Sequence, residues 1–312
     1  MQRRTYTIHR VIQMIPTLVI LAILIFLMIR AIPGDPAVTL LGVQATPENV
    51  AVMRHHLSLD QPLPVQFGIF VNQIVHGDLG RSTLVQIPVS TLVAQRLPLT
   101  LSLVVYAMVL ALLITVPCAV IAAFNKGRLV DQLIRGYTIL GISTPGFWVG
   151  ILLLIVLGVK VHVFPVGGIG TSPLQDLRYL FLPALTLALG VSAILIRNLR
   201  DAILSTLGAE HVTVARAKGL HSQTVLLRHV LRNALISTVT LLGLYLGWLV
   251  GGSVIIEDVF ALPGMGSLMI SSILGRDYAV VQGFTLVYAV LVLTIYLLTD
   301  LAYSFVDPRI AL

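Results

Sequence analysis

Apolar residues along this chain come in long unbroken runs, with little of the alternation that marks strands. The longest runs occupy residues 11–32, 99–123, 137–159, 179–196, 234–256 and 284–306. Each is close to the ~20 residues an α-helix needs to cross a hydrocarbon core roughly 30 Å thick. A lone strand in lipid would leave its backbone amides unpaired, so the runs predict six transmembrane helices in an all-α membrane protein. The polar segments between them differ in kind. Residues 33–97, with PGDPA, ATPENVAVMRHHLSLDQPLP and GDLGRS, are long enough for a small external subdomain. Within it, TPENVAVMRHHL predicts a short helix with Thr46 as N-cap and Pro47 in the first turn. FNKGRLVDQLIR is a short inner loop, and the Gly- and Pro-rich HVFPVGGIGTSPLQDLR predicts an irregular one. EDVFALPGMGSLMISSILGRDYAVVQG holds an apolar helix too short to span, expected to pack at the outer surface. The chain thus divides into residues 1–32, an external part 33–97, and a five-helix core 98–312 carrying an inner loop at 198–233.

Composition agrees with that division. Of 312 residues, 57% are hydrophobic and only 11% charged, too little charge to cover a water-exposed surface of that size. The first run follows Arg3, Arg4 and Arg10 like a secretory signal, but it is long and RAIPGDPA lacks a clear cleavage site, so it is read as a retained anchor. With the N-terminus inside, the inner segments hold most of the 20 Lys and Arg, including Lys126, Arg128, Arg135, Arg197, Arg200, Arg216, Lys218, Arg228, Arg232 and Arg309. The outer segments, longer in total, hold Arg30, Arg54, Arg81, Arg96, Lys160, Arg178 and Arg276. The positive-inside rule therefore predicts two cytoplasmic termini, and the net charge of +7 needs no nucleic acid to explain it. Cys118 is the sole cysteine and lies in the second run, excluding an internal disulfide.

Absences narrow the chemistry. The sequence has no GxxxxGK[ST] phosphate loop, no HExxH and no close-set metal-ligand pattern. His55 and His56 are adjacent on a predicted helix and do not share a face, which argues against a metal site. No catalytic residue is expected. Asp300 alone lies well inside an apolar run, and a bond to a neighbouring helix explains it better than an ion-coupling site. A protein with six spans and no engine is either a passive pore or a conduit driven by another polypeptide.

One segment favours the second reading. EHVTVARAKGLHSQTVLLRHVLRN, residues 210–233, is charged and rich in small residues between two membrane-length runs. A short helix from Glu210 is expected to end at Gly219, with Val212, Ala215 and Gly219 on one slim side and Glu210, Val214 and Ala217 on another. Both sides would let a partner's backbone approach. Ser222 is a candidate N-cap for a second helix that runs into the fifth span, which would carry force from Gly219 into the membrane. Since a specific interface covers ~1,000 Å² or more, FNKGRLVDQLIR is expected to contribute as well. The competing reading is that Arg216, Lys218, Arg228 and Arg232 only anchor the loop at lipid headgroups.

EHVTVARAKGL followed by LLRHVLRNAL resembles the signature loop of ABC importer permeases, specifically the dipeptide/oligopeptide/nickel permease family. The likeness extends through RVIQMIPTLVIL, IPGDPA, LDQPLPVQF, GDLG, ISTPGFW, VFALPGMGSL, RDYAVVQG and the terminal DPR. The long outer region after the first run resembles the first of the two permease subunits in such systems. The resemblance implies a type I ABC importer permease fold in the bacterial cytoplasmic membrane and a second, homologous permease as heterodimer partner. It also implies two cytoplasmic ATPases that hold ATP and Mg, none of it on this chain, and an external solute-binding protein. It places Glu210, Val214, Ala215, Arg216, Ala217, Lys218, Gly219 and Leu220 at the ATPase-docking site. Two departures stand out: Val214 replaces the usual hydroxyl or acidic residue, and Ser237 replaces a proline common after LRNAL. Small peptides are the expected cargo, with glutathione or a nickel chelate as alternatives and an ion-driven carrier or channel as the competing class. Ser143, Pro145, Trp148, Ser192, Tyr245 and Ser253 are expected along the path, with Ser102 and Thr144 available for weak polar contacts. Pro145 either breaks the third span or serves packing alone.

Overall fold

The computed structural model describes residues 2–31, 35–56 and 58–306. Ile32, part of IPGDPA, and the terminal DPR with Arg309 lie outside them, as does the side chain of Ser237. In chain order the helices are α1 (Gln2–Ala31), α2 (Pro36–Leu41), α3 (Pro47–His56), α4 (Leu63–Val75), α5 (Val89–Phe124), α6 (Leu129–Ser143) and α7 (Gly146–Leu153). There follow α8 (Pro173–Leu207), α9 (Glu210–Ala217), α10 (Ser222–Thr224), α11 (Arg232–Val259), α12 (Met265–Leu274) and α13 (Tyr278–Val306). Two π-helical stretches, Leu154–Lys160 and Val225–Leu231, extend α7 and join α10 to α11.

Four helices, α5, α8, α11 and α13, are long and apolar enough to cross a membrane, and α6 with α7 makes a fifth, bent crossing. The expected first span is α1, a 30-residue helix whose stretch Ile12–Met28 is short for a crossing but apolar. The third expected span is not one straight helix: α6 and α7 meet at 108°. Pro145 is the cause. Its ring pushes Thr144 into extended backbone (φ −97°, ψ 130°), which ends α6, and its fixed φ of −60° starts α7. The second span begins at Val89, ten residues before the expected 99. Pro98 is accommodated within this 36-residue helix.

α8 lies at the centre, packed along α5 and against α6 and α11. Leu103, Ala107, Leu182, Ala188, Val191, Leu195 and Leu249 form its fully or almost fully buried surroundings. Lipid is as apolar as leucine, so helices here associate through close backbone approach. Gly243 and Gly247, four residues apart on α11, show this: a Cβ on either would overlap Thr299 or Tyr296 of α13. Gly141 of α6 likewise sits against Ala193 of α8.

At one end of the bundle α3 forms as expected, with Asn49 N–H donating to Thr46 Oγ1 at 3.3 Å. Arg54 pairs with Asp35, the residue that caps α2. α4 packs Phe67 edge-on and Phe70 tilted against Phe26 of α1, ring centroids 5.2 and 5.7 Å away. α4 therefore rests on the bundle. Residues 77–88 form a tight loop bound to the α12–α13 turn through Asp277, whose Oδ2 accepts from Ser82 Oγ (2.5 Å), Thr83 N (3.0 Å) and Leu84 N (3.2 Å). α12 packs on α11, α5 and α13 at this same end, as expected of a helix too short to span.

Candidate functional site

At the opposite end of the bundle, α9 is a two-turn helix laid across the ends of the spans. Glu210 opens it, where a carboxylate suits the positive end of the helix dipole. A Schellman turn closes it: Gly219 N–H bonds Arg216 O (2.9 Å) and Leu220 N–H bonds Ala215 O (3.4 Å). Gly219 has φ +74°, a conformation that costs other residues roughly 1–2 kcal/mol.

The two slim faces have different fates. Val212 is fully buried and Ala215 is 5% exposed, seated among Ala119, Ala123, Ile203 and Val230. That face fixes α9 to its own chain, so the side chain of Ala215 is not available to a partner. Glu210, Val214, Arg216, Ala217, Lys218, Gly219 and Leu220 all lie on the exposed surface. Val214 is an apolar residue left 52% exposed.

The helix after the Gly219 turn starts one residue before the expected cap. His221, not Ser222, is the N-cap, its Nδ1 accepting weakly from Gln223 N at 3.5 Å. From Ser222 the helix continues through the π-helical residues 225–231 into α11 and on to Val259, uninterrupted at position 237. Thr224, Val225, Leu231 and Arg232 keep helical angles through both junctions. The link between the Gly219 turn and the interior of the bundle is thus one rigid element.

Beside it, the inner loop is held by a salt bridge that sequence reasoning did not single out. Asp131, 1% exposed, accepts two bonds from Arg200 of α8, Nε at 2.7 Å and Nη2 at 2.9 Å, and a third from Gly127 N at 2.9 Å. An acid and an arginine 69 residues apart leave no local spacing signal. The bridge holds the first turn of α6, with exposed Leu129 and Leu133, at the same end of the bundle as α9.

The expected path residues divide. Pro145 and Tyr245 line a cavity of about 510 Å³ between the α6–α7 bend, α8 and α11, where Thr144 also opens. Ser143 lines a second cavity of about 400 Å³ nearer α9, and Trp148 a third on the other side of the bend. Ser192 and Ser253 do not reach any of these. Both are fully buried, Ser192 bonded to Tyr137 Oη (2.7 Å) and Ser253 to Val250 O (2.9 Å), so they serve helix packing. Ser102 is exposed and turns back on Pro98 O. Asp300 is half-buried and engaged with a neighbour.

The bundle, its bent third crossing and its laid-over α9 define a helical membrane permease. Its fold matches the MetNI methionine ABC transporter in inward-facing conformations, TM-score 0.58 at 18% identity over 69% of this chain and 96% of that one. An amino acid ABC transporter matches with TM-score 0.55 at 17% identity, covering 69% and 94%. Residues 115–312 match the family described as "Binding-protein-dependent transport system inner membrane component", and residues 3–104 match its N-terminal companion, "Binding-prot-dependent transport system membrane comp, N-term". The chain belongs to this family of importer permeases. Similar proteins include one of Brucella suis biovar 1 (strain 1330) named as a peptide transport system permease, 41% identical over 97% of this chain and 98% of its own length. The glutathione transport system permease protein GsiC of Salmonella typhimurium (strain LT2) is 36% identical over 98% of each. The chain is therefore a multi-pass inner-membrane subunit of a binding-protein-dependent ABC importer, a transport component and not an enzyme. Its family implies ATPase and solute-binding partners.

Proposed function

We propose that this permease carries small peptides released by an external binding protein, paired with a second homologous permease and driven by two ATPases seated on α9. The names of its relatives favour peptide or glutathione cargo, and the peptide-named ones are the more similar. Among the described residues the buried ion pair between α6 and α8, Asp131 with Arg200, lies at the α9 end and holds the inner loop, so it does not speak for an ion-driven carrier. On this reading both termini and α9 are cytoplasmic, and ATP with Mg stays on the ATPases.

The observation that carries the docking role is the division of α9 into a buried face and an exposed one. Val212 and Ala215 tie it to the bundle, while Val214, Arg216, Ala217 and Lys218 stand free at the start of a continuous helix into the membrane. A loop that merely rests on headgroups needs no such rigid continuation. The α6 turn with Leu129 and Leu133 supplies further contact area, since α9 alone falls well short of the ~1,000 Å² of a specific interface.

Replacing the exposed Ala217 with Trp tests this. Co-purification of the ATPases should fall while the permease keeps its thermal transition. Ala215→Leu, which overfills a packed site at a cost of about 1–3 kcal/mol, should instead lower that transition. Undiminished ATPase association in Ala217→Trp would end the proposal.

A further inference from the structure

The cavity beneath the α6–α7 bend and the one nearer α9 share Ile142 and lie in line along α6 and α8. Together they make a groove from Tyr245 and Trp248 at mid-bundle to the α9 end. Its walls are apolar, with Ile134, Ile139, Ile142 and Ile196 lining the lower part. Its mouth is basic. Arg135, Arg197 and Arg200 open into it, with Asp201 as the acid on the rim.

These charges do not cancel in place. Arg200 takes both nearby acids, Asp131 through Nε and Nη2 and Asp201 through Nη1 at 3.0 Å. Arg135 is left with a 3.9 Å approach to an Asp131 oxygen already shared by Arg200 and Gly127. Among the described residues nothing pairs with Arg197, which is exposed at the groove mouth. A guanidinium presents a planar fork that matches a carboxylate at two points, and apolar walls weaken the competition from water. A cavity of about 400 Å³ is within the ~300–1,000 Å³ of small-molecule sites.

We propose that the mouth of this groove is a carboxylate-recognition site for cargo on its way out, with Arg197 as the contacting group and Arg135 as a second positive charge beside it. The proposal rests on the peptide-importer reading for its cargo, since every unmodified peptide carries a terminal carboxylate. The four isoleucines accept the side chains that follow. Arg197 thus favours cargo that presents its acid end toward the cytoplasm, and the attraction keeps released cargo from returning up the apolar part of the groove.

The test uses the assembled importer, both permeases and ATPases, in detergent without the external binding protein, so that the latter's own selectivity plays no part. The probe is a fluorescent dipeptide as free acid and as C-terminal amide. The acid should bind about tenfold or more tighter than the amide, as a charge-assisted pair requires. Arg197→Gln should erase that difference and Arg197→Lys should keep most of it. Equal binding of acid and amide to the unmodified importer, or a difference that survives Arg197→Gln, overturns the proposal. So does retention of phosphatidylglycerol by the unmodified importer and not by Arg197→Gln without acid–amide discrimination, which would make Arg197 a lipid contact. Uptake of the free acid into proteoliposomes with the binding protein present is measured separately. Its failure with the acid–amide difference intact refutes peptide cargo and leaves the carboxylate site standing.

Discussion

At the scale of single residues, the sharpest feature is a buried charge pair. Asp131 and Arg200 have side chains 1% and 12% exposed. Removing one member of such a pair leaves the other uncompensated and costs about 3–5 kcal/mol, while replacing both with apolar groups is close to neutral. Asp131→Asn should therefore lower the thermal midpoint of the purified permease markedly, and the double replacement Asp131→Leu with Arg200→Met should recover most of the loss. Equal midpoints for Asp131→Asn and the unmodified chain would show that the bridge does not hold α6. Glu257 is a second case. It is fully buried in α11 and its Oε2 accepts from Gly266 N at 2.6 Å, fixing the first turn of α12 against α11. Gly266 is needed there because a Cβ would run into the backbone of Val254. Neither pairing is visible in the sequence, since the acid and its partner are brought together only by the packing of helices.

At the scale of elements, local chemistry was largely readable and lateral contacts were not. Thr46 and Pro47 marked the start of α3 and Gly219 the end of α9, while Pro145 left a break and plain packing equally open until the structure showed the break. Each acts through its own backbone angles, which neighbours hardly alter. The Val212–Ala215 side of α9 does not face a partner, for the opposite reason: small residues serve a partner or the chain's own core equally well, and here Ala215 serves the core. Asp277 shows both kinds of information in one side chain. As the residue before α13 it caps that helix, its Oδ1 accepting from Val280 N at 3.4 Å. Its Oδ2 holds Ser82, Thr83 and Leu84, about two hundred residues away along the chain. Asp277→Ala leaves those donors without their acceptor, at about 1–3 kcal/mol for each buried group. Amide hydrogen exchange at Thr83 and Leu84 should then accelerate, with α9 unaffected. Unchanged protection at both residues would mean the loop is held by other contacts.

At the scale of the whole molecule, the permease is a helical bundle into which one continuous helix runs from Ser222 to Val259. Reconstituted without its partners, it is expected to hydrolyse no ATP and accumulate no cargo against a gradient, because the sequence carries no phosphate loop. Uphill uptake by this chain alone, measured with labelled dipeptide in vesicles, would place it among ion-driven carriers instead. By itself the sequence determined that the chain is a membrane protein, where its helices run, and which segment looks like a motor contact. Those properties follow from runs of apolar side chains, positive-inside charge and local backbone chemistry, all of which are legible within about 20 residues. Only the tertiary structure decided which face of α9 is exposed, that Ser192 and Ser253 are packing residues, that the third crossing turns by 108°, and that Arg197 has no partner among the described residues at the mouth of a groove. The physical reason is that burial and charge compensation are properties of neighbours in space. In lipid, where most side chains of a span are apolar to begin with, hydrophobicity alone cannot say which side meets another helix.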